Sequence, residues 1–470
     1  MVDAESEPLL ARRFIRTADF DKFLDPKYVV VVGAKGSGKS ALFEMFAKNM
    51  ASVRKLAGAR LDNVLVGTGT GFSALSELSA ADLNTLRRDE AVQYEAFWRL
   101  YICLRAAHEL GRQGYTSTGP LRGFLRAVNK APDYRILPIA KAIWRATVGA
   151  APKSVKVTLA GTGVEISMGS ETLDTTALLS DIEAVLARAG KHLWLLFDKV
   201  DEFHPSNPIE RRATLEGLFP ACMAVRSFFP HIVPRVFIRS DLYGRHIHFT
   251  NKSHLTDKQF EIRWDMSALE ALILKRALIH ADVRSYVARR ARLRTSLLED
   301  LSVSEVRRGI DTVIASRMSD SRGIRTLEWM RARATDSKGV TYPREMIAFA
   351  NGARDEQREM ASVSGDYLIS ADAVTAAYPG VSAMRCNSFL SEFPHLEQHF
   401  RRFRGEPADI FNRTHLLELF DGLAPRGSDA IDELWDVGVL RPTDGRDVSV
   451  ATAFEVPPLY ASGLGLVRIS

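Results

Sequence analysis

Only three cysteines occur in 470 residues (Cys103, Cys222 and Cys386), far apart and without metal-ligand spacing. Their scarcity excludes a disulfide framework and a paired-cysteine zinc site, and the thiols are expected to be free and buried. Long apolar runs are missing too. No stretch reaches the ~18 consecutive apolar residues that a membrane-spanning helix requires. The N-terminus carries Asp3, Glu5 and Glu7 where a secretory leader would carry positive charge and then an apolar run, so cytoplasmic residence is the expectation. There is no internal repeat and no low-complexity tract, which argues against a solenoid. Charge of one sign is barely in excess: 63 Lys and Arg against 57 Asp and Glu leave a net +6. So mild an excess permits contact with nucleic acid without demanding it.

What is present reads as an ordinary globular chain, 46% hydrophobic and 26% charged, long enough for several domains. Residues 1–27, with Phe14, Ile15, Phe20 and Phe23, read as an arm packed beside the neighbouring domain. Tyr28 to Val32 is a short apolar run bounded by Pro26 and Gly33, the form of a buried parallel strand. Leu42, Phe43, Phe46 and Met50 then make a helical stripe. A second helical pattern runs from Glu90 to Leu110, and the alternation from Val155 to Met168 fits a hairpin. Residues 68–175 are taken as an elaboration of the same domain. Ala177 to Ala189 reads as a helix ended by Gly190, followed by apolar strands at His192–Phe197 and Val233–Ile238. Strands alternating with helices predict an α/β fold with a parallel sheet, over residues 28–265. A helical region, 266–360, and a helical linker, 361–413, come next. The last segment, 414–470, has two short helices, a turn at Thr443 to Arg446 and a strand pair, the order of a winged helix.

Between the first strand and its helix lies Gly33-Ala34-Lys35-Gly36-Ser37-Gly38-Lys39-Ser40, a match to G-x-x-x-x-G-K-[ST]. Glycines let successive backbone N–H groups point inward at phosphates, and the adjoining helix, from Ser40 and Ala41 onward, presents its positive end. Lys39 is expected to reach the β- and γ-phosphates and Ser40 to ligate Mg²⁺. ATP, rather than GTP, is the expected nucleotide.

Leu193 to Phe197 is an apolar strand ending in Asp198, and an acid at that strand end is suited to hold the Mg²⁺. Asp201 and Glu202 come next, at a distance suited to positioning water, with Glu202 favoured for its longer reach. Val236-Phe237-Ile238 ends in Arg239, whose planar fork suits a γ-phosphate or, alternatively, an ion pair with Asp241 or Asp201. Tyr342-Pro343-Arg344 opens a later helix, with Pro343 suited to its first turn.

Together these residues resemble the AAA+ superfamily of P-loop ATPases, in the branch joining STAND signalling ATPases to origin-recognition-type initiators. The chain looks closest to a bacterial group of uncharacterised P-loop ATPases with a Gly-x-Lys-Gly-Ser-Gly-Lys-Ser loop, an Asp-Lys-x-Asp-Glu box and a C-terminal winged helix. The resemblance implies that Arg239 senses the γ-phosphate and that Pro343 and Arg344, in a helical lid, contact the nucleotide. It implies a nucleotide-operated switch that controls self-assembly or a protein partner, with roles such as stress signalling or bacterial defence, and Lys199 in place of the usual acid points to slow hydrolysis. The alternative it implies is a DNA-binding ATPase of the initiator or transposition-helper kind. Two departures stand out. Lys199 occupies the place after the strand-end aspartate where that branch has an acid, and the glycine before the lid proline is displaced to Gly339. Arg245 is the candidate arginine finger. Arg284, Arg289, Arg290, Arg292 and Arg294 form the densest basic cluster, while the second helix of the C-terminal module carries Asp429, Asp432, Glu433 and Asp436. Those carboxylates would repel phosphates, which favours a packing or partner-binding role there.

Overall fold

The computed structural model describes residues 7–69, 90–128, 136, 139–140, 155–158, 165–168, 174–202, 208–244, 247–293, 298–319, 323–360 and 365–467. Arg245, Arg294 and much of the 68–175 elaboration lie outside the described residues. The chain divides into two compact units: Ala18–Lys35 with Lys39–Ile262, and Met1–Thr17 with Gly36–Gly38 and Arg263–Ser470. The segment expected as a single arm is thus divided after Thr17.

The first unit is built on a five-stranded sheet. Its strands are β1 (Val30–Gly33), β2 (Val64–Gly69), β5 (His192–Phe197), β6 (Ile232–Arg239) and β7 (Gln259–Glu261), in the order β2-β5-β6-β1-β7. All four pairings are parallel. Apolar residues fill both faces of β1, β5 and β6, as a sheet covered by helices requires. A separate antiparallel pair, β3 (Val155–Thr158) and β4 (Glu165–Met168), supplies the hairpin that alternation predicted. Strands β2 and β7 carry no clear signal in the sequence. Strand β2 includes Gly67 and Gly69, and the space beside Gly69 is taken: a Cβ there would lie 2.5 Å from the Phe197 ring.

Local sequence explains the helices that cover this sheet. Thr175–Ala189 starts at Asp174, whose carboxylate accepts from Thr176 and Ala177 N–H, and ends at Gly190 in the left-handed region. The helices Glu90–Arg112 and Pro208–Phe228 pack on one another, and Trp98 of the first donates its indole N–H to the Thr214 carbonyl at 2.9 Å. On the β1 side, Phe23 meets Phe46, Trp194 and Phe237 with ring centroids 4.8–6.0 Å apart. The guanidinium of fully buried Arg235 stacks 3.8 Å over Trp194 and donates to the Phe23 and Asp25 carbonyls. All three cysteines are buried and free.

The second unit is mainly helical, with two large apolar cores and a smaller cluster of Ile15, Leu272 and Ile347 among the described residues. Helices Met266–Ala277, Val303–Val313, Thr326–Arg333 and Pro343–Glu359 build the first. The second lies within residues 386–466. The segment expected as a linker contains the helix Ala371–Glu392, which contributes Val374 and Val381 to one core and Cys386 and Phe389 to the other. That helix is a shared wall between the two cores. Beyond it come β8 (Ile410–Asn412), helices Arg413–Leu419 and Gly427–Asp436, β9 (Arg441–Pro442) and β10 (Ala453–Glu455), with the antiparallel order β8-β10-β9. Strand β8 joins the expected strand pair from outside the 414–470 boundary. Among the described residues, no helix is long and apolar enough to cross a membrane.

Candidate functional site

Strand β6 stands between the strand that leads into the phosphate loop and the strand that ends in Asp198. Parallel register pairs Gly33 with Arg239 and aligns Phe197 with Val236, so the carboxyl ends of β1, β5 and β6 converge on one edge. In open α/β sheets that edge is where ligands bind. Helix Lys39–Lys48 begins there, with Ser40 and Ala41 in its first turn.

Gly36 and Gly38 have φ of +86° and +101°, a conformation that side chains at these positions would strain. They curl the loop so that its backbone amides can face an anion. The Lys39 ammonium donates to the Gly33 carbonyl at 2.7 Å and to the Ala34 carbonyl at 3.0 Å, which holds it against the loop. Lys35 is exposed. The Ser37 hydroxyl is buried and has no hydrogen-bond partner.

Asp198 is 6% exposed. Burial pushes its carboxyl up to about 6, against the Lys39 charge, a hydrogen bond from the Ser40 hydroxyl and one from the Lys199 N–H. Enclosure brings the Lys39 ammonium down to about 8, opposed by Asp198 and Asp201 and reinforced by Arg239. The structure therefore brings Lys39, Ser40, Asp198, Asp201 and Arg239 into one electrostatic cluster.

Lys199 has φ of +58°, unusual for a residue with a side chain. It turns the chain into the short 3₁₀ segment Val200–Glu202. Its ammonium lies 3.8 Å from Glu202, and both side chains are about two-fifths exposed. Asp201 acts on both Lys39 and Asp198, and Glu202 lies beside the Lys199 ammonium.

Arg239 makes a two-pronged ion pair with Asp241, Nε to Oδ1 at 3.1 Å and a terminal nitrogen to Oδ2 at 2.7 Å. That guanidinium holds the Asp241 carboxyl below the usual range despite burial. Of the two partners weighed from the sequence, Asp241 and Asp201, Asp241 makes this pair. Asp241 is thereby a site residue, and its only signal in the sequence is its place two residues after Arg239.

In the helical unit, Tyr342 precedes the helix Pro343–Glu359, with Pro343 in its first turn. The Arg344 side chain passes within 3.5 Å of where a Cβ on Gly36 would stand, and the Trp264 indole donates to the Ser37 carbonyl at 2.7 Å. Trp264 has no motif to announce it. Gly339, at φ of +75°, forms the turn of a small hairpin bridged at Thr335 and Thr341. Its displacement from the proline reflects a turn requirement. Behind that turn the Tyr342 hydroxyl donates to Asp336, which also accepts from the Lys338 and Val340 N–H groups.

Magnesium is the metal that such a loop implies, and the residues present fit it. Ser40 and Asp198 offer a hard hydroxyl and a carboxylate already joined by a hydrogen bond. Mg²⁺ is held by one or two protein oxygens together with phosphates and water. Among the described residues no group of three or more His, Cys, Asp or Glu makes a separate metal site.

No family model matches the sequence. No curated protein matches it either. Among solved structures, the Walker-type ATPase PABY2304 of Pyrococcus abyssi is similar over 98% of this chain and 95% of that one, at 10% identity and a TM-score of 0.37. The Aeropyrum pernix ORC1 protein in complex with DNA matches over 98% of this chain and 94% of its own, at 12% identity and a TM-score of 0.34. The Aeropyrum pernix ORC2 protein, in ADPNP–ADP complexes, matches over 98% and 91%, also at 12% identity and a TM-score of 0.34. The chemistry of this chain rests on the geometry of its own site.

Proposed function

We propose that the chain is a Mg²⁺-dependent ATP-binding switch of the AAA+ type that hydrolyses its nucleotide slowly. One observation carries the reading: Lys39, Ser40 and Asp198 are joined at the carboxyl edge of the parallel sheet, beneath a loop shaped by Gly36 and Gly38. Lys39 and the loop amides bind the phosphates, while Ser40 and Asp198 hold the metal. Arg239 supplies further positive charge towards the γ-phosphate. Asp201 positions the attacking water in preference to Glu202. With Lys199 where an acid is usual, turnover is slow.

The residues 410–455 support a winged-helix reading through the order strand, helix, helix, strand, strand. This module is proposed to pack and to engage protein. Its second helix ends against the lid's hairpin: the Ser337 N–H donates to the Gly438 carbonyl at 3.1 Å, and the Lys338 ammonium lies 3.4 Å from Asp436 and 4.5 Å over Trp435. The four acids of that helix disfavour a phosphate backbone. The basic cluster is partly committed as well, since Arg290 pairs with Asp366. A nucleotide-dependent change at Pro343 and Arg344 has a direct route to the module through Asp336 and Tyr342.

Two measurements test the reading. Calorimetric titration with Mg·ATP should show saturable binding that Lys39→Ala weakens by roughly 100-fold, the scale of a lost charge-assisted contact. Light scattering without nucleotide, with ADP and with a slowly hydrolysed ATP analogue should show a change in assembly with the analogue alone. Unchanged affinity in Lys39→Ala removes the nucleotide site; an unchanging mass in all three states removes self-assembly as its output.

A further inference from the structure

The helical unit contains a cavity of about 630 Å³ that the nucleotide site does not use. That lies within the range of about 300–1,000 Å³ typical of small-molecule sites. Ile273, Ile314, Ile347 and Ile369, each less than a tenth exposed, form an apolar floor. The polar side is strongly one-signed. Arg13, Arg276, Arg354 and Arg358 line it, with Glu7 as the one carboxylate among the described residues.

Glu7 occupies a particular place in this arrangement. One carboxylate oxygen accepts from Arg13 at 2.6 Å and the other from Arg276 at 3.0 Å, and the side chain is 8% exposed. Two guanidinium groups thus converge on one anionic group at the wall of an apolar cavity. Arg13 retains a buried Nε–H with no hydrogen-bond partner, so its donors are not exhausted by Glu7. Arg354 and Arg358 share the counter-charge of Asp355 at the exposed rim.

We propose that this cavity binds an organic anion, an apolar body bearing one carboxylate, sulfonate or phosphate, and that Glu7 competes with it for Arg13 and Arg276. The apolar floor takes the body and the arginines take the charge. The short segment bearing Glu7 therefore acts as a tethered competitor, and release of its carboxylate opens the anion position.

The test uses calorimetry on the full chain with naphthalene-1-sulfonate and its uncharged counterpart naphthalene-1-methanol. The sulfonate should bind saturably and more tightly than the alcohol. Glu7→Gln should tighten the sulfonate by about tenfold, the scale of one charge-assisted bond regained, while leaving the alcohol unchanged. Ala350→Trp, which places an indole in the cavity, should abolish both, and an unchanged circular dichroism spectrum with a cooperative urea transition shows that the variant is folded. A merely structural Glu7 would make the opposite change, since its loss would loosen the cavity and weaken both probes. The proposal is overturned if the sulfonate fails to bind wild-type and Glu7→Gln protein, if Glu7→Gln does not tighten it, or if folded Ala350→Trp binds as before.

Discussion

Gly33 and Arg239 are direct neighbours across parallel strands, partners in the register of β1 and β6. The residue that opens the phosphate loop therefore stands beside the arginine that ends the intervening strand. Asp241 holds that arginine in a fixed, two-pronged pose. The pose is an ion pair that a γ-phosphate can share or replace, because phosphate and carboxylate fit the same guanidinium fork.

Two substitutions separate these roles. Arg239→Ala should leave ADP affinity nearly intact and lower the affinity for ATP. Asp241→Asn, which weakens the restraint on Arg239, should preserve or increase ATP affinity. Equal losses for ADP and ATP in Arg239→Ala would show that the arginine serves only the fold.

The carboxylates are distinguished by where they act. Asp198→Asn should weaken Mg²⁺-dependent ATP binding, since the Ser40–Asp198 pair loses its charge. Asp201→Asn should leave binding in place and slow phosphate release by roughly 100-fold or more, as expected of a group that positions water. Glu202→Gln should have the smaller effect because Glu202 lies beside the Lys199 ammonium. Mg·ATP affinity and phosphate release measured on the three variants decide the assignment. A larger loss of turnover in Glu202→Gln would reverse it.

The same cluster makes stability depend on pH. Folding raises the Asp198 carboxyl from 3.8 to about 6, so the folded chain binds the extra proton in that interval and loses stability as pH rises through it. Folding lowers Lys39 from 10.5 to about 8, so the folded chain has released a proton that the unfolded chain keeps, and stability returns as pH rises through that interval. Without nucleotide, this site should destabilise the protein most between about pH 6 and about pH 8. Asp198→Asn should raise the urea midpoint at about pH 7 and have little effect at about pH 4. An equal shift at both pH values would place its effect outside the titration.

A second buried charge sits in the helical unit. Arg385 donates to the Tyr460 hydroxyl at 3.1 Å and lies 3.3 Å from Glu392, whose side chain is 1% exposed. It also offsets the charge on Glu345, where burial raises the carboxyl and one oxygen has no hydrogen-bond partner. Arg385→Met should cost about 3–5 kcal/mol, the scale for leaving a buried partner uncompensated. Urea unfolding would measure it; a loss below about 1 kcal/mol would show that the two acids neutralise by taking up protons.

Elements whose information is local are legible along the chain. The run Gly33 to Ser40 specifies a loop, because φ above zero at Gly36 and Gly38 and the start of a helix at Lys39 are properties of neighbouring residues. Apolar runs at His192–Phe197 and Val233–Ile238 specify buried parallel strands, and Asp174 and Gly190 mark the ends of a helix. Features that depend on distant partners emerge only on folding. Strand β2, with its two glycines, is a strand because β5 pairs with it from far along the chain, His192 opposite Val64. The 361–413 segment, without a strong signal of its own, became a shared wall because each half of helix Ala371–Glu392 meets a different core. Trp264 meets Ser37 only through folding. Spacing along a chain limits which groups can meet; the packed backbone sets which of them do.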